Sequence, residues 1–119
     1  MTMRPHRIVA AGVAAIVAVG TTPWLAEPAD AQDAAEHGRA VYEHWCAPCH
    51  APGPGHPGTQ SLELKYNGSL PAVLLERTDL TPEAVKVFVR QGVLSMAPFR
   101  KTEITDAELD ALAAYVTRE

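Results

Sequence analysis

Apolar positions recur at helical spacing in three separated stretches of this chain. In residues 33–45, Ala34, Gly38, Val41, Tyr42 and Trp45 share one face at a period of 3.6, which predicts an amphipathic helix. Gly38 interrupts that face. A mid-helix glycine costs about 1 kcal/mol relative to alanine, a cost offset where another backbone packs close against it. The second stripe is Val85, Phe88 and Val89. Thr81 precedes it as an N-cap, Pro82 suits the first helical position, Glu83 complements the helix dipole and Gly92 is a C-terminal stop. The third helix opens on the capping box of Thr105 and Glu108 and runs to about Thr117, with Leu109, Leu112, Ala113 and Val116 on one face.

Residues 46–67 break the pattern. Pro48, Pro52, Pro54 and Pro57 exclude a regular helix or central strand there. Residues 61–66 are read as at most a short helical turn. So long a loop in a small chain needs something to hold it. With no strand-like alternation anywhere, the expectation is an all-α fold of three to five short helices. There is no internal repeat and no low-complexity tract.

The amino-terminal end follows another logic. Arg4, His6 and Arg7 precede the apolar run of residues 8–20, and the segment closes on Ala29, Asp30 and Ala31. A basic start, a short apolar centre and an A-x-A exit describe a secretory signal peptide. The run is shorter than the ~20 residues a spanning helix requires. Residues 1–31 are therefore read as the leader and 32–119 as the domain, periplasmic and without a membrane span after cleavage. Arg4 and Arg7 balance Glu27 and Asp30, so the formal charge of −4 is unchanged by the cut. That charge gives no support to nucleic-acid binding. So small a domain, with few large aromatics, offers thin material for a core, and a metal, disulfide or cofactor commonly contributes at this size.

The candidate chemistry is concentrated in Trp45-Cys46-Ala47-Pro48-Cys49-His50, which holds both cysteines of the chain. Four chemistries compete. A disulfide across two residues closes a small ring and stabilises little. A redox dithiol belongs to a strand-rich fold. A zinc ion would need a fourth ligand, and adjacent Cys49 and His50 do not easily share one tetrahedral ion. Covalent haem accounts for every feature: Cys46 and Cys49 form thioethers to the two vinyl groups, and His50 ligates the iron. After leader removal one methionine remains, Met96, in a loop between two predicted helices. A methionine in such a place more often fills a core gap; here its position makes it the candidate second axial ligand. His37, His44 and His56 are the rivals, the first two on the solvated side of the first helix. Pro57, on the proline-rich loop, is the candidate carbonyl acceptor for His50 Nδ1, since an axial histidine commonly donates its other ring proton. Pro98 and Phe99 are read as bordering the exposed edge of the group, with core packing the alternative for Phe99. The chain carries no catalytic constellation of its own.

Gly38 and Tyr42 ahead of Cys46-x-x-Cys49-His50, then Met96, then Leu109 with Tyr115 and Val116, resemble the pattern of class I c-type cytochromes. The resemblance spans essentially the whole of residues 32–119. It implies a small class I cytochrome c fold wrapped around one covalent haem c, His50/Met96 ligation, and first and last helices crossing with Gly38 against Tyr115. Residues 70–116, with Gly58-Thr59-Gln60, Glu76-Arg77-x-Asp79-Leu80-Thr81-Pro82-Glu83 and Phe99-Arg100-Lys101-Thr102-Glu103, are also similar to the cytochrome subunit of 4-cresol dehydrogenase (p-cresol methylhydroxylase) and eugenol hydroxylase. That likeness implies an electron-transfer subunit and not itself an enzyme. It would accept single electrons from an FAD-containing flavoprotein that oxidises para-alkyl phenols and pass them to a soluble acceptor. The alternative is a freely diffusing cytochrome donating to an oxidase or accepting from a quinoprotein dehydrogenase.

Overall fold

The computed structural model describes residues 29–118, and within them the chain is all-helical. The expected leader lies outside the described residues except for its last three, which form the first turn of α1 (Ala29–Val41). A π-helical turn, Tyr42–Cys46, and a short α2, Ala47–His50, continue the same helical path. Then come α3 (Pro57–Tyr66), a 3₁₀ turn at Leu74–Glu76, α4 (Pro82–Gln91) and α5 (Asp106–Thr117). Among the described residues none of these is long and apolar enough to cross a membrane.

Helix α5 is the hub, packing on both α1 and α4. The α1–α5 crossing is at Gly38. A Cβ placed there would lie 2.7 Å from the Tyr115 Cβ and closer still to the Ala111 carbonyl oxygen. The mid-helix glycine is thus required by a backbone–backbone approach, as the resemblance implied. Beside it the Tyr42 and Tyr115 rings sit 5.7 Å apart. The buried core gathers Val41, Tyr42, Cys46, Val85, Val89, Ile104, Leu109, Leu112, Ala113 and Val116. All four predicted core residues of α5 are in it. Ala34 is not; it stays exposed one turn ahead of the crossing.

The caps form as the sequence predicts. The Thr81 hydroxyl accepts the Ala84 N–H, and Gly92, with φ of 71°, ends α4. The Glu108 carboxylate accepts the Thr105 N–H at 2.7 Å, and the Thr105 hydroxyl accepts the Glu108 N–H at 3.2 Å.

The predicted loop of residues 46–67 departs from expectation at both ends. Its last proline does not forbid a helix but starts one: Pro57 occupies the first turn of α3, where its missing N–H is not needed, and nine more residues follow in helix. Pro48 does not end the first helix either. The chain widens instead, with the Ala47 N–H reaching five residues back to the Tyr42 carbonyl. Such a turn relieves the clash between a proline ring and the carbonyl four residues earlier.

Candidate functional site

The widened turn brings Cys46, Cys49 and His50 onto a helical path at spacings of three and four, which share a face. All three line a cavity of about 640 Å³, within the ~300–1,000 Å³ usual for cofactor pockets. Its walls are largely apolar. Val85, Phe88 and Val89 come from α4, Leu112 and Val116 from α5, and Trp45 from the π turn. Phe88, predicted as core, is 42% exposed because it faces this cavity rather than another helix. Both cysteines are free thiols, so the disulfide reading is not realised. Among the described residues no three His, Cys, Asp or Glu side chains converge as a metal-binding group.

Met96 lines the same cavity from the loop after α4. That loop is built to present it. Val93 and Met96 exchange backbone hydrogen bonds at 3.0 and 2.9 Å around a tight turn. Leu94, at the tip, adopts φ of 52° and is 92% exposed. Gly92 is needed because a Cβ would fall 2.5 Å from the Met96 carbonyl oxygen. Arg90 then ties the loop to α4, donating to the Phe99 and Ile104 carbonyls at 3.2 and 2.9 Å and to Asp106 at 3.0 Å.

The rival histidines are elsewhere. His37 and His44 are exposed and outside the cavity lining, and the His56 ring donates to the Pro48 carbonyl at 3.2 Å. Phe99 lines the cavity and packs edge-on against Trp45 at 5.6 Å, in keeping with the core-packing alternative, while Pro98 is exposed and outside the lining. Burial holds the His50 imidazole below its ordinary pKa, which favours the neutral form able to give a lone pair to a metal. Burial, with Cys49 close by, pushes the Cys46 thiol up to about 12.

One expectation is corrected. His50 Nδ1 is buried with no hydrogen-bond partner, and the Pro57 carbonyl assigned to it accepts the Ser61 hydroxyl at 2.7 Å instead. Because Pro57 starts a helix, its carbonyl points along α3.

The sequence reading also passed over Arg77. It lines the cavity with its side chain only 10% exposed, and stands 4.9 Å from the centre of the Tyr66 ring. Its guanidinium forks onto Asp79 at 2.9 and 2.5 Å and donates to the Tyr66 hydroxyl at 2.5 Å. That fork holds the Asp79 carboxyl below its ordinary range. Lys65 lines the cavity as well, giving it a cationic edge. The Arg77-x-Asp79 spacing was the one available signal.

These residues satisfy what covalent haem asks of a protein: two thiols, a neutral imidazole and a thioether around one apolar cavity, with cations at its edge. A family model described as cytochrome c oxidase, cbb3-type, subunit III matches residues 33–116. The chain belongs to this family. It is a cytochrome c domain with the small, all-helical cytochrome c fold, and its function is electron transfer by haem c. No curated protein and no solved structure matches the chain.

Proposed function

We propose that this cytochrome c domain holds a single covalent haem and works as a periplasmic one-electron carrier. Cys46 and Cys49 supply the thioethers, and His50 and Met96 the two axial ligands. The observation that carries this is the lining of one cavity by both cysteines, His50 and Met96, with His37, His44 and His56 outside it. The bound haem iron supplies a reversible ferric–ferrous step. The chain's own part is to exclude water with apolar walls, to fill both axial positions, and to set Arg77 and Lys65 at the edge where carboxylate side groups need countercharge. An imidazole–thioether pair favours electron transfer over oxygen chemistry and raises the potential relative to two histidines. Phe99 and Pro98 form part of the docking surface.

The finer assignment follows the likeness of residues 70–116 to the 4-cresol dehydrogenase cytochrome. The partner is an FAD flavoprotein that oxidises para-alkyl phenols, and electrons leave to a soluble acceptor. A second reading is favoured by the family's own description: a cytochrome serving an oxidase. Purification from a host with cytochrome c maturation tests both levels. Intact mass should show one added haem and loss of the leader up to Ala31. The ferric spectrum should carry the weak methionine–iron band, and Met96→Leu should abolish it. Lack of added mass refutes the haem assignment. Co-purified flavin supports the flavoprotein partner; reduction of an oxidase without flavin supports the second reading.

A further inference from the structure

We infer that Arg90 is the positioning residue that holds the Met96 loop closed against the cavity. This rests on the reading of Met96 as an iron ligand and adds what keeps it in place. Met96 sits on a segment that leaves α4 at Gly92 and re-enters the core at Ile104, which is fully buried. The tip of that segment bonds to itself: Val93 and Met96 exchange backbone hydrogen bonds, and Leu94 between them stands in solvent. Methionine carries no charge and has three rotatable bonds, so the backbone that bears it must limit where its sulfur can go.

That backbone is anchored three residues past Met96. The Phe99 N–H donates to the Val89 carbonyl at 2.8 Å, and Arg90 donates to the Phe99 carbonyl at 3.2 Å. Two consecutive residues of α4 thus grip both backbone polar groups of Phe99. The same guanidinium donates to the Ile104 carbonyl at 2.9 Å and to the Asp106 carboxylate at 3.0 Å. One side chain therefore joins α4, the return of the loop and the first turn of α5. Lys101 donates to the other Asp106 oxygen at 2.6 Å, which helps to fix the carboxylate. Arginine suits this junction because its five N–H donors lie in a rigid, permanently charged fork, where lysine offers a compact ammonium. The Arg90 side chain is only 22% exposed and lies outside the cavity lining, so it acts on Met96 through the loop and not by touching the bound group. Without it, the Phe99 and Ile104 carbonyls lose a charge-assisted partner. The return of the loop is then released, and the closed position of Met96 loses ground to an open one.

The test uses the ferric, haem-loaded protein, with free imidazole as a competitor for the Met96 position. Loss of the weak methionine–iron band during titration reports displacement. Arg90→Gln is expected to bind imidazole at least about tenfold more tightly, equivalent to about 1.4 kcal/mol less closure of the loop. Arg90→Lys should fall between Arg90→Gln and the parental protein. Leu109→Ala, in the core but outside the cavity lining, should lower the melting temperature and leave imidazole affinity at the parental value. Parental affinity in Arg90→Gln refutes the positioning role. So does an equal gain in Leu109→Ala, which would make the effect one of general stability. Should Arg90→Gln not take up haem, Arg90→Lys decides by the same criterion. If the parental ferric protein lacks the methionine–iron band before imidazole is added, Met96 is not a ligand and the underlying reading has failed, an outcome distinct from the others.

Discussion

Gly38→Ala is the sharpest test of the packing argument, because intrinsic helix preference and packing give opposite signs there. In an exposed helix, replacing glycine by alanine stabilises by about 1 kcal/mol. At Gly38 the added methyl would sit 2.7 Å from the Tyr115 Cβ and 2.9 Å from the Ala111 carbonyl carbon. Neither neighbour can swing away, since both belong to the helix α5 framework. Overpacking of this kind costs typically about 1–3 kcal/mol. The backbone clash places Gly38 at the upper end, so after the propensity gain a net loss of about 2 kcal/mol remains. For a domain of this size each kcal/mol moves the melting temperature by about 4–8 °C, so the drop should be about 8–16 °C. Circular dichroism melting of the haem-loaded protein measures it. Ala40→Gly serves as the control: Ala40 is exposed on the same helix, and that change should cost about 1 kcal/mol by propensity alone. If Gly38→Ala proves neutral or stabilising, the crossing is looser than described and the reasoning fails.

Three further outcomes follow from the same geometry. Thr105→Ala removes the capping box of α5 and should cost about 1 kcal/mol in chemical unfolding, with the haem spectrum unchanged. Leu94→Asn should stabilise by up to about 1 kcal/mol, because asparagine tolerates the left-handed conformation better and the leucine side chain is 92% exposed; a fall in the melting temperature would show that Leu94 packs on something. The pH dependence has a defined sign. Asp106 is held below its ordinary value of 3.8 by Lys101 and Arg90, and Glu108 below 4.5 by the Thr105 N–H. Depressed carboxylates contribute stability above their unfolded values and lose it as pH falls through the folded ones, and the His50 imidazole, held below its ordinary 6.5 by burial, loses stability as pH falls below that unfolded value, so stability should be level above about pH 7, begin to fall near pH 6 and decline further below about pH 4; a curve flat down to about pH 5 would refute the burial of His50.

Local chemistry made the helices readable. Thr81-Pro82-Glu83 and the Thr105/Glu108 box act within four residues of themselves, so no tertiary knowledge was needed. Gly38 was readable for a different reason: a mid-helix glycine is a cost that only a close neighbour explains. The proline-rich segment misled because a proline forbids a helix only when a helix precedes it. Pro57 precedes its helix, and Pro48 is absorbed by a wider turn. The motif residues Cys46, Cys49, His50 and Met96 were legible from spacing and scarcity. Their supports were not. The Thr59 hydroxyl reaches the Ala51 carbonyl eight residues back, and Arg77 reaches the Tyr66 hydroxyl eleven residues back, only its pairing with Asp79 being local. The direction of the Pro57 carbonyl depends on whether α3 exists at all. Missing the helix therefore carried over into the wrong acceptor for His50.

The core itself argues for a resident group. Of the buried apolar residues, Cys46, Val85, Val89, Leu112 and Val116 also line the cavity, so half of the buried core borders it. Phe88 and Met96 face the same space, and the long segment between α3 and α4 contributes Leu74, Arg77 and Leu80 to its wall. A chain this short buries too little surface to hold such segments by their own contacts. Haem would supply a second face to every one of these side chains at once, and thioether attachment would fix it to the one helix that the α1–α5 crossing already holds in place. Binding the group and completing the core are then one event, and the fold and the redox site are selected by the same contacts.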